Sequence, residues 1–303
     1  MKTVNFASCN IDYVYSLDHI VRPGETEGSE KLELFPGGKG LNQTVALLRA
    51  GMEVYPAAII GEDGLFLKDE LLNAGAKLDY LKVTKDKTGH AIIQVDKKGE
   101  NSIFLFHGTN YAFTKDYIDG VLSHFEKGDI LLIQNEINLV PYIIEKAFDK
   151  GLFTVLNPSP FDESIKEIDL NKVSCLILNK TEASDLSGGL SPEDFLNEMK
   201  VKYPEMIVML TLGSKGCIYS DKNITCRHGI FDVTPVDTTA AGDTFTGFFL
   251  SGISKGLIPE EAIKIASAAS SLAITKMGAA PSIPTWDEVI SALDNLTLKL
   301  IEE

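Results

Sequence analysis

The stretch Asp237-Thr238-Thr239-Ala240-Ala241-Gly242-Asp243-Thr244-Phe245 places small residues between two aspartates, and a helical pattern follows over residues 244–255. Small side chains at a helix start leave unpaired, partly positive backbone N–H groups open to a ligand, which suits a phosphate group. A carboxylate at Asp243 would be repelled by that phosphate unless it had a task there. Accepting the proton of an attacking hydroxyl is the task that fits best. The alternative is an N-cap aspartate on an ordinary helix.

A second glycine cluster, Pro36-Gly37-Gly38-Lys39-Gly40, precedes a helical pattern over residues 41–50. Glycines before a helix allow the backbone to approach a ligand closely. Lys39 and Asn42 lie near the first turn of this helix, where they can donate hydrogen bonds to hydroxyls. The cluster is not a Walker A loop, because Lys39 is followed by Gly40 and not by Ser or Thr.

The two glycine-containing stretches resemble the two signatures of the ribokinase-like (PfkB) carbohydrate kinases, and the resemblance covers about residues 4–286. Lys39 and the Gly278-Ala279-Ala280-Pro281-Ser282 segment place the chain nearest the ribokinase branch of that family. Further matches occur in the expected order: Asn10-Ile11-Asp12, Gln134-Asn135-Glu136, Asn179-Lys180-Thr181-Glu182 and Thr211-Leu212-Gly213-Ser214-Lys215-Gly216. The resemblance implies an ATP-dependent kinase that phosphorylates a primary hydroxyl of a sugar. D-Ribose is the leading substrate, and fructose, deoxyribose, a sugar acid or a nucleoside are alternatives.

The same resemblance implies roles for individual residues. Asp243 is expected to be the catalytic base, and the backbone N–H groups of Ala240, Ala241, Gly242 and Asp243 are expected to stabilise the transferred phosphoryl group. Contacts to the sugar are expected from Asn10, Asp12, Gly38, Lys39, Asn42, Glu136 and Asp243. From the residues alone, an Asx-turn at a strand end for Asn10 and Asp12, and a solvent-facing carboxylate for Glu136, remain alternatives.

The resemblance also implies sites for a nucleotide and two kinds of cation. ATP is expected to contact Asn179, Glu182, Thr211, Gly213, Gly216, Gly242 and Ser267. Glu182 is expected to help hold Mg²⁺ through water, although a capping box formed by Asn179 and Glu182 is the structural alternative. The carbonyl and side-chain oxygens of a K⁺ site are expected from Asp237, Thr239, Ala273, Lys276, Gly278 and Ser282.

Composition restricts the partners. The chain has 303 residues, a formal net charge of −15 and a pI near 4.8, which argues against a nucleic acid or an anionic membrane as partner. Its four cysteines form no CxxC pair, and reduced cysteines favour a cytoplasmic protein. We find neither the long apolar segment of a signal peptide near the N-terminus nor an apolar run long enough to span a membrane.

Strand-like and helix-like segments alternate along the chain. Short apolar or β-branched runs predict strands over residues 4–8, 54–60, 130–133, 154–156, 175–178 and 207–211. Helical patterns separate them over residues 41–50, 65–74, 115–125, 139–150 and 192–202. The alternation predicts an α/β fold with a mostly parallel central sheet and helices on both faces. In the ribokinase-like three-layer fold that the resemblance implies, residues 1–303 form one domain.

Two segments, about residues 12–36 and 88–108, interrupt the alternation. Residues 91–96 and 101–106 form a hairpin pattern around the polar turn Lys97-Lys98-Gly99-Glu100. By resemblance these segments form a small β-strand lid over the sugar, through which the protein is expected to form a homodimer. A plain edge hairpin is the alternative.

Some residues depart from the family pattern. Phe66 stands where the last glycine of a Gly-x-Asp-x-x-Gly motif is usual, so the direction of Asp63 toward the sugar is open. Asn135 replaces an apolar residue and predicts a more polar sugar pocket, while Tyr13 and Tyr15 affect how the lid packs. A non-catalytic sugar- or nucleotide-binding protein on the same fold is the rival from another class.

Overall fold

The computed structural model describes residues 1–299. Its strands are β1 Thr3–Phe6, β2 Asn10–Ser16, β3 Lys31–Gly37, β4 Val54–Gly61, β5 Leu81–Thr84, β6 Gly89–Val95, β7 Asn101–Phe106, β8 Ile130–Gln134, β9 Phe153–Asn157, β10 Cys175–Asn179, β11 Ile207–Thr211, β12 Cys217–Ser220, β13 Thr225–His228, β14 Ile230–Phe231 and β15 Leu298–Lys299. Its helices are α1 Lys39–Arg49, α2 Leu65–Asn73, α3 Lys115–Leu122, α4 Val140–Asp149, α5 Lys180–Ser187, α6 Pro192–Lys202, α7 Ala241–Ser254, α8 Pro259–Ala273 and α9 Trp286–Ala292. No helix within this part of the chain is long and apolar enough to cross a membrane.

A nine-stranded sheet forms the centre of the molecule, in the order β13-β12-β11-β10-β9-β8-β1-β4-β5. The strands from β11 to β5 in this order pair in parallel, and β12 and β13 join at one edge in antiparallel pairing. The predicted α/β class with a mostly parallel sheet is confirmed. Since parallel strands end at the same edge, the segments that follow them meet there and form a crevice.

Helices cover both faces of this sheet. One apolar core joins α1, α2, α7, α8 and α9 to one face, and the other joins α3, α4, α5 and α6 to the opposite face. Strand β8 is buried along its whole length, and its residues before Gln134 are all apolar because each face packs against helices. The result is a three-layer arrangement in which α1 and α7 pack against one another beside the crevice.

The lid is a separate four-stranded sheet in the order β3-β2-β6-β7. The hairpin pattern predicted around residues 97–100 corresponds to β6 and β7, which pair in antiparallel register. Asn10 and Asp12 follow β1 along the chain, and they lie at the start of the lid strand β2. The buried residues Ala7 and Cys9 lead directly from β1 into β2, so the chain enters the lid with almost no loop.

Candidate active site

Asp243 lies in the first turn of α7, and its carboxylate is only slightly exposed, with the residue 7% accessible. Asn42 Nδ2 donates to Asp243 Oδ2 at 3.1 Å, and Gln43 Nε2 donates to Asp243 Oδ1 at 2.9 Å. We expected Asn42 to donate to a sugar hydroxyl, but one of its N–H groups is committed to Asp243. Its buried Oδ1 has no hydrogen-bond partner among residues 1–299. The sequence analysis did not identify Gln43 as a site residue.

The start of α7 has no side-chain cap, and Ala240, its N-cap residue, adopts the left-handed conformation with φ 59°. The four predicted phosphoryl-stabilising groups are not equivalent. Ala241 N–H donates to Thr238 O at 3.2 Å, because the left-handed Ala240 closes a turn there, so it is not free as predicted. In the described chain the N–H groups of Ala240, Gly242 and Asp243 have no acceptor.

Glu136 contacts the start of the other signature helix, α1. Its Oε2 accepts hydrogen bonds from Lys39 N–H at 2.9 Å and from Ser8 Oγ at 2.5 Å. The residue is 8% exposed and does not face solvent. Burial raises the pKa of its carboxyl, and the nearby positive charge of Lys39 opposes that shift. Ser8, which also accepts from Gly40 N–H at 2.9 Å, is a second residue that the sequence analysis missed.

Lys39 carries its ammonium group among three carboxylates, those of Asp243, Glu136 and Glu182. Burial disfavours the charged form, but attraction to these carboxylates outweighs burial and raises the pKa of Lys39. The side chain lines the cavity next to Asp243. A fixed positive charge therefore lies between the predicted sugar-binding residues and the predicted phosphate-binding helix start.

Asn10 and Asp12 occupy the junction between the lid and the central sheet. Asn110 Nδ2 donates to Asn10 Oδ1 at 2.7 Å, so the Asn10 amide group has a fixed direction. Asn110 Oδ1 in turn accepts from Cys9 N–H at 3.0 Å. Asn110 was not among the residues predicted from the sequence. Burial, followed by repulsion from Glu136, raises the pKa of Asp12 to about 7. Gly38 has φ 92°, and a Cβ there would lie 3.0 Å from Ser8 O, so glycine is required at this contact.

Two adjoining cavities extend from Asp243 along the ends of the central strands. The first, of about 340 Å³, is lined by Lys39, Asn179, Glu182 and the residues of the α7 start. The second, of about 470 Å³, is more apolar and includes Phe231, Phe245 and Ile274. Thr211, Gly213, Thr238, Ala241 and Gly242 line both cavities. The two cavities suit the two ends of a nucleotide, with its charged phosphates next to Asp243 and its flat apolar base in the second cavity.

Asn179 and Glu182 form the capping box at the start of α5. Asn179 Oδ1 accepts from Glu182 N–H at 2.9 Å, and Glu182 Oε2 accepts from Asn179 N–H at 2.9 Å. The structural alternative is therefore present. Glu182 is nevertheless 6% exposed and lines the first cavity, so its other oxygen, Oε1, is available for a hydrated cation.

The residues predicted to contact the nucleotide differ in their surroundings. A Cβ at Gly213 would meet no atom within 4 Å, whereas a Cβ at Gly216 would lie 2.0 Å from His228 O. Glycine is thus required at position 216 because the β13 backbone packs closely against it. Gly216 also lines the second cavity. Ser267 is 5% exposed and lines the same cavity, and Thr211 Oγ1 makes only a long contact, 3.4 Å, to Leu178 O.

The predicted K⁺-binding segments lie next to one another. Asp237 Oδ1 accepts from Thr239 N–H at 2.9 Å, and Asp237 Oδ2 accepts from Gly278 N–H at 2.9 Å. Burial opposes ionisation of Asp237, but these hydrogen bonds outweigh burial and lower its pKa. Ser282 Oγ donates to Ala279 O at 2.9 Å, and Ala273 O accepts from Lys276 N–H at 3.1 Å. The oxygens of these two segments are hard donors of the kind that suit an alkali cation.

Two of the departures from the family pattern have local explanations. Asp63 Oδ1 accepts from Thr88 N–H at 3.1 Å and from Thr88 Oγ1 at 2.7 Å, so it anchors the loop before β6. Asn135 Nδ2 donates to Pro160 O at 2.9 Å. Its amide therefore holds the segment after β9.

Asp243 places a buried carboxylate at an uncapped helix start, beside two cavities whose linings suit a nucleotide. This is the arrangement of a phosphotransferase that acts on an alcohol. The chain belongs to the pfkB family of carbohydrate kinases, whose family profile matches residues 2–286. It is 34% identical to the ribokinase of Haemophilus influenzae over 300 residues, which covers 95% of this chain and 97% of that protein.

Solved structures give the same assignment. The ribokinase of Cryptococcus neoformans in complex with ADP has a TM-score of 0.82 and 32% identity, covering 96% of this chain and 98% of that one. The ribokinase of Arabidopsis thaliana complexed with ribose and ATP has a TM-score of 0.83 and 27% identity, again covering 96% and 98%. Both similarities extend over the lid as well as the central sheet.

Proposed function

We propose that this protein transfers the γ-phosphoryl group of ATP to the primary hydroxyl of D-ribose, giving ribose 5-phosphate and ADP. The observation that carries the proposal is the position of Asp243. Its carboxylate is buried, receives N–H groups on both oxygens, and lies beside three unpaired backbone N–H groups at the wall of a cavity. Full-length similarity to ribokinases supports ribose as the acceptor.

In the proposed reaction Asp243 accepts the proton of the sugar hydroxyl as its oxygen attacks the γ-phosphorus. The bond between that phosphorus and the bridging oxygen of ADP breaks, and ADP leaves. The free N–H groups of Ala240, Gly242 and Asp243 stabilise the charge that develops on the phosphoryl oxygens. The Lys39 ammonium adds a positive charge on the side of the sugar.

The sugar is proposed to occupy the space between the lid junction and α1. Asn10 and Asp12 offer an amide and a carboxyl to neighbouring hydroxyls, and the Asn110 contact fixes the direction of the Asn10 amide. Glu136 Oε1, which has no hydrogen bond within residues 1–299, supplies a further acceptor. Buried acceptors of this kind are costly unless a ligand's hydroxyls pair with them.

Two cations complete the proposal. Glu182 would hold Mg²⁺ through water near the phosphates, where the ion neutralises charge on the nucleotide. The segments at Asp237–Thr239 and Ala273–Ser282 would hold K⁺, which would stabilise the loop before α7. We expect initial rates to be several-fold higher in K⁺ than in Na⁺ at equal ionic strength. Equal rates in the two salts would remove K⁺ from the proposal.

The substrate assignment is tested by coupled ADP release from ATP over a panel of acceptors. D-Ribose should give the highest kcat/KM, ahead of deoxyribose, fructose, 2-keto-3-deoxygluconate and adenosine. A higher kcat/KM for another member of the panel would replace ribose as the substrate. Sugar binding without any acceptor-dependent ADP release would instead identify a non-catalytic binding protein.

The lid exposes an apolar outer strand. Every residue of β7 is exposed, including Phe104 and Phe106, which are 59% and 51% accessible. Leu32 and Leu34 on β3 are also exposed, so we propose that the protein forms a homodimer through the lid. Phe104→Lys should convert a dimer to a monomer in light scattering, and a wild-type monomer would refute the proposal.

We further propose one domain over residues 1–303 and a cytoplasmic location, which suits four free cysteines.

A further inference from the structure

Gln43 is a buried side chain whose amide contacts the proposed base directly. Its Nε2 donates to Asp243 Oδ1 at 2.9 Å and to Asn157 Oδ1 at 3.1 Å. Its Oε1 accepts from Gln134 Nε2 at 2.7 Å. Gln43 is only 1% exposed and lines neither of the two cavities next to Asp243, so it reaches the reaction only through Asp243.

The direction of the Gln43 amide is fixed by groups that cannot exchange roles. Asn157 Nδ2 donates to Ile177 O at 2.7 Å, and a backbone carbonyl only accepts, so Asn157 must present its oxygen to Gln43. On the other side Asn5 Nδ2 donates to Gly40 O at 2.9 Å, which leaves Asn5 Oδ1 to accept from Gln134 at 3.2 Å.

A reversed Gln43 amide would be unfavourable at each of its contacts. It would set its oxygen against the oxygens of Asp243 and Asn157, and its nitrogen against the nitrogen of Gln134. The buried network therefore permits one orientation, in which an N–H group faces the Asp243 carboxylate. Gln134 of β8 and Asn157 of β9 thus fix the direction of the Gln43 amide on α1, and this amide contacts Asp243 on α7.

We propose that Gln43 is a positioning residue that orients the Asp243 carboxylate for proton transfer. This inference rests on the proposed role of Asp243 as the base. Asn42 and Gln43 each occupy one oxygen of the carboxylate, and the remaining lone pairs face the cavity. The Lys39 ammonium attracts the same carboxylate, and the Gln43 hydrogen bond restrains it from turning toward that charge.

The test is Gln43→Met, which keeps the length of the side chain and removes both the donor and the acceptor. We expect kcat to fall by about 10- to 100-fold, the cost of a misplaced catalytic group. KM for ribose and for ATP should change less than about threefold, since Gln43 contacts neither in the proposed complex. The acid limb of the kcat profile should also move to higher pH, because a donor to the ionised carboxylate is lost. Lys39, Glu136 and Glu182, the charged groups around Asp243, are unchanged in this variant.

Ser251→Ala is the matched control. Ser251 is fully buried on the same helix as Asp243, and its Oγ donates to Ala50 O at 2.7 Å, joining α7 to the far end of α1. It should lose stability with kcat and the pH profile unchanged. A kcat within twofold of wild type in Gln43→Met, or an equal loss of kcat in Ser251→Ala, would overturn the inference.

Gln43→Glu decides the matter if Gln43→Met does not fold, because it is nearly isosteric with the native residue. The introduced carboxyl group would repel Asp243 when ionised and would share its proton with Asp243 when protonated, so kcat should fall at least tenfold in either state. A kcat within twofold of wild type would contradict the inference. Asp243→Asn keeps the two proposals apart: if it is inactive and both Gln43 variants are normal, only the role of Gln43 fails. If Asp243→Asn is active, the proposed function fails.

Discussion

The two signature helices start alike in sequence, with small residues and no side-chain cap, but their first backbone N–H groups differ. At α1 they are satisfied within the protein: Lys39 N–H by Glu136, Gly40 N–H by Ser8 Oγ, and Leu41 N–H by Ser8 O at 2.9 Å. At α7 three N–H groups have no acceptor within residues 1–299. A filled helix start gives a rigid wall, and an open one gives an anion site.

This difference determines where the ligand's negative charge is expected. The carboxylate of Glu136 already occupies the anion position of α1, so a second anion would be repelled there. The open start of α7 faces a cavity and has Asp243 in its own first turn. The sugar is therefore expected beside the filled start and the transferred phosphoryl group at the open one.

Apart from loss of Asp243 itself, the largest effect is expected from blocking the open start with Gly242→Ala. A Cβ at Gly242 meets no atom within 4 Å, so the change fits the free protein but intrudes on the proposed phosphoryl position. Turnover should fall by about 100-fold, as for loss of one stabilising donor. Stability should not fall, and should rise by about 0.5 kcal/mol, because alanine favours the helix.

The control for this change is Gly120→Ala in α3, where a Cβ likewise meets nothing within 4 Å. It should show the gain in stability without any loss of turnover. Normal turnover in Gly242→Ala, measured by coupled ADP release, would mean that the open start does not receive the phosphoryl group.

A smaller effect is expected from Glu136→Gln, which removes the negative charge at the filled start of α1. A charge-assisted hydrogen bond is worth about 1.5–3 kcal/mol, so KM for ribose should rise about tenfold or more while KM for ATP stays within about twofold. Glu182→Gln is the matched comparison, because Glu182 also caps a helix with one carboxylate oxygen but lines the nucleotide cavity. It should change KM for ATP and not for ribose, and the reverse pattern would exchange the two sites.

The last prediction concerns the pH dependence of stability and not turnover. The pKa of Asp12 in the folded protein is about 7, above its ordinary value of 3.8, so the folded state binds this proton more tightly than the unfolded state. Its contribution therefore makes stability fall as pH rises between these two values, by at most about 1.4 kcal/mol per pH unit. Urea unfolding from pH 4 to 8 should show this slope in wild type and a flatter one in Asp12→Asn. Parallel slopes in the two proteins would contradict the burial of this carboxyl.

Much of the fold could be predicted because the first four residues of strands such as β8 and β10 are buried on both faces and therefore apolar. The lid strands β2 and β3 could not, since β2 follows β1 with no turn signal and its last five residues are all partly buried, without alternation. In the site, Asp243 and Glu182 are recognisable from local patterns. Ser8, Gln43 and Asn110 are not, because their roles depend on partners about 100 or more residues away along the chain.

The same reason explains the incorrect details. Nothing within the sequence 237–245 indicates that Ala240 is left-handed, and that conformation is what commits Ala241 N–H to Thr238 O. The contacts of Asp63 and Asn135, which depart from the family pattern, could not be foreseen either. Each bonds a neighbouring loop, at Thr88 and Pro160 respectively, that the fold brings within reach.

The most direct test of the central claim is the turnover of Asp243→Asn measured together with its binding of ribose and ATP by calorimetry. The substitution keeps the size of the side chain and removes the proton acceptor at the open helix start. We predict a fall in kcat of at least about 100-fold, the lower end expected for loss of a general base, with both affinities within about threefold of wild type. A variant that binds both substrates normally and turns over within tenfold of wild type would contradict the account.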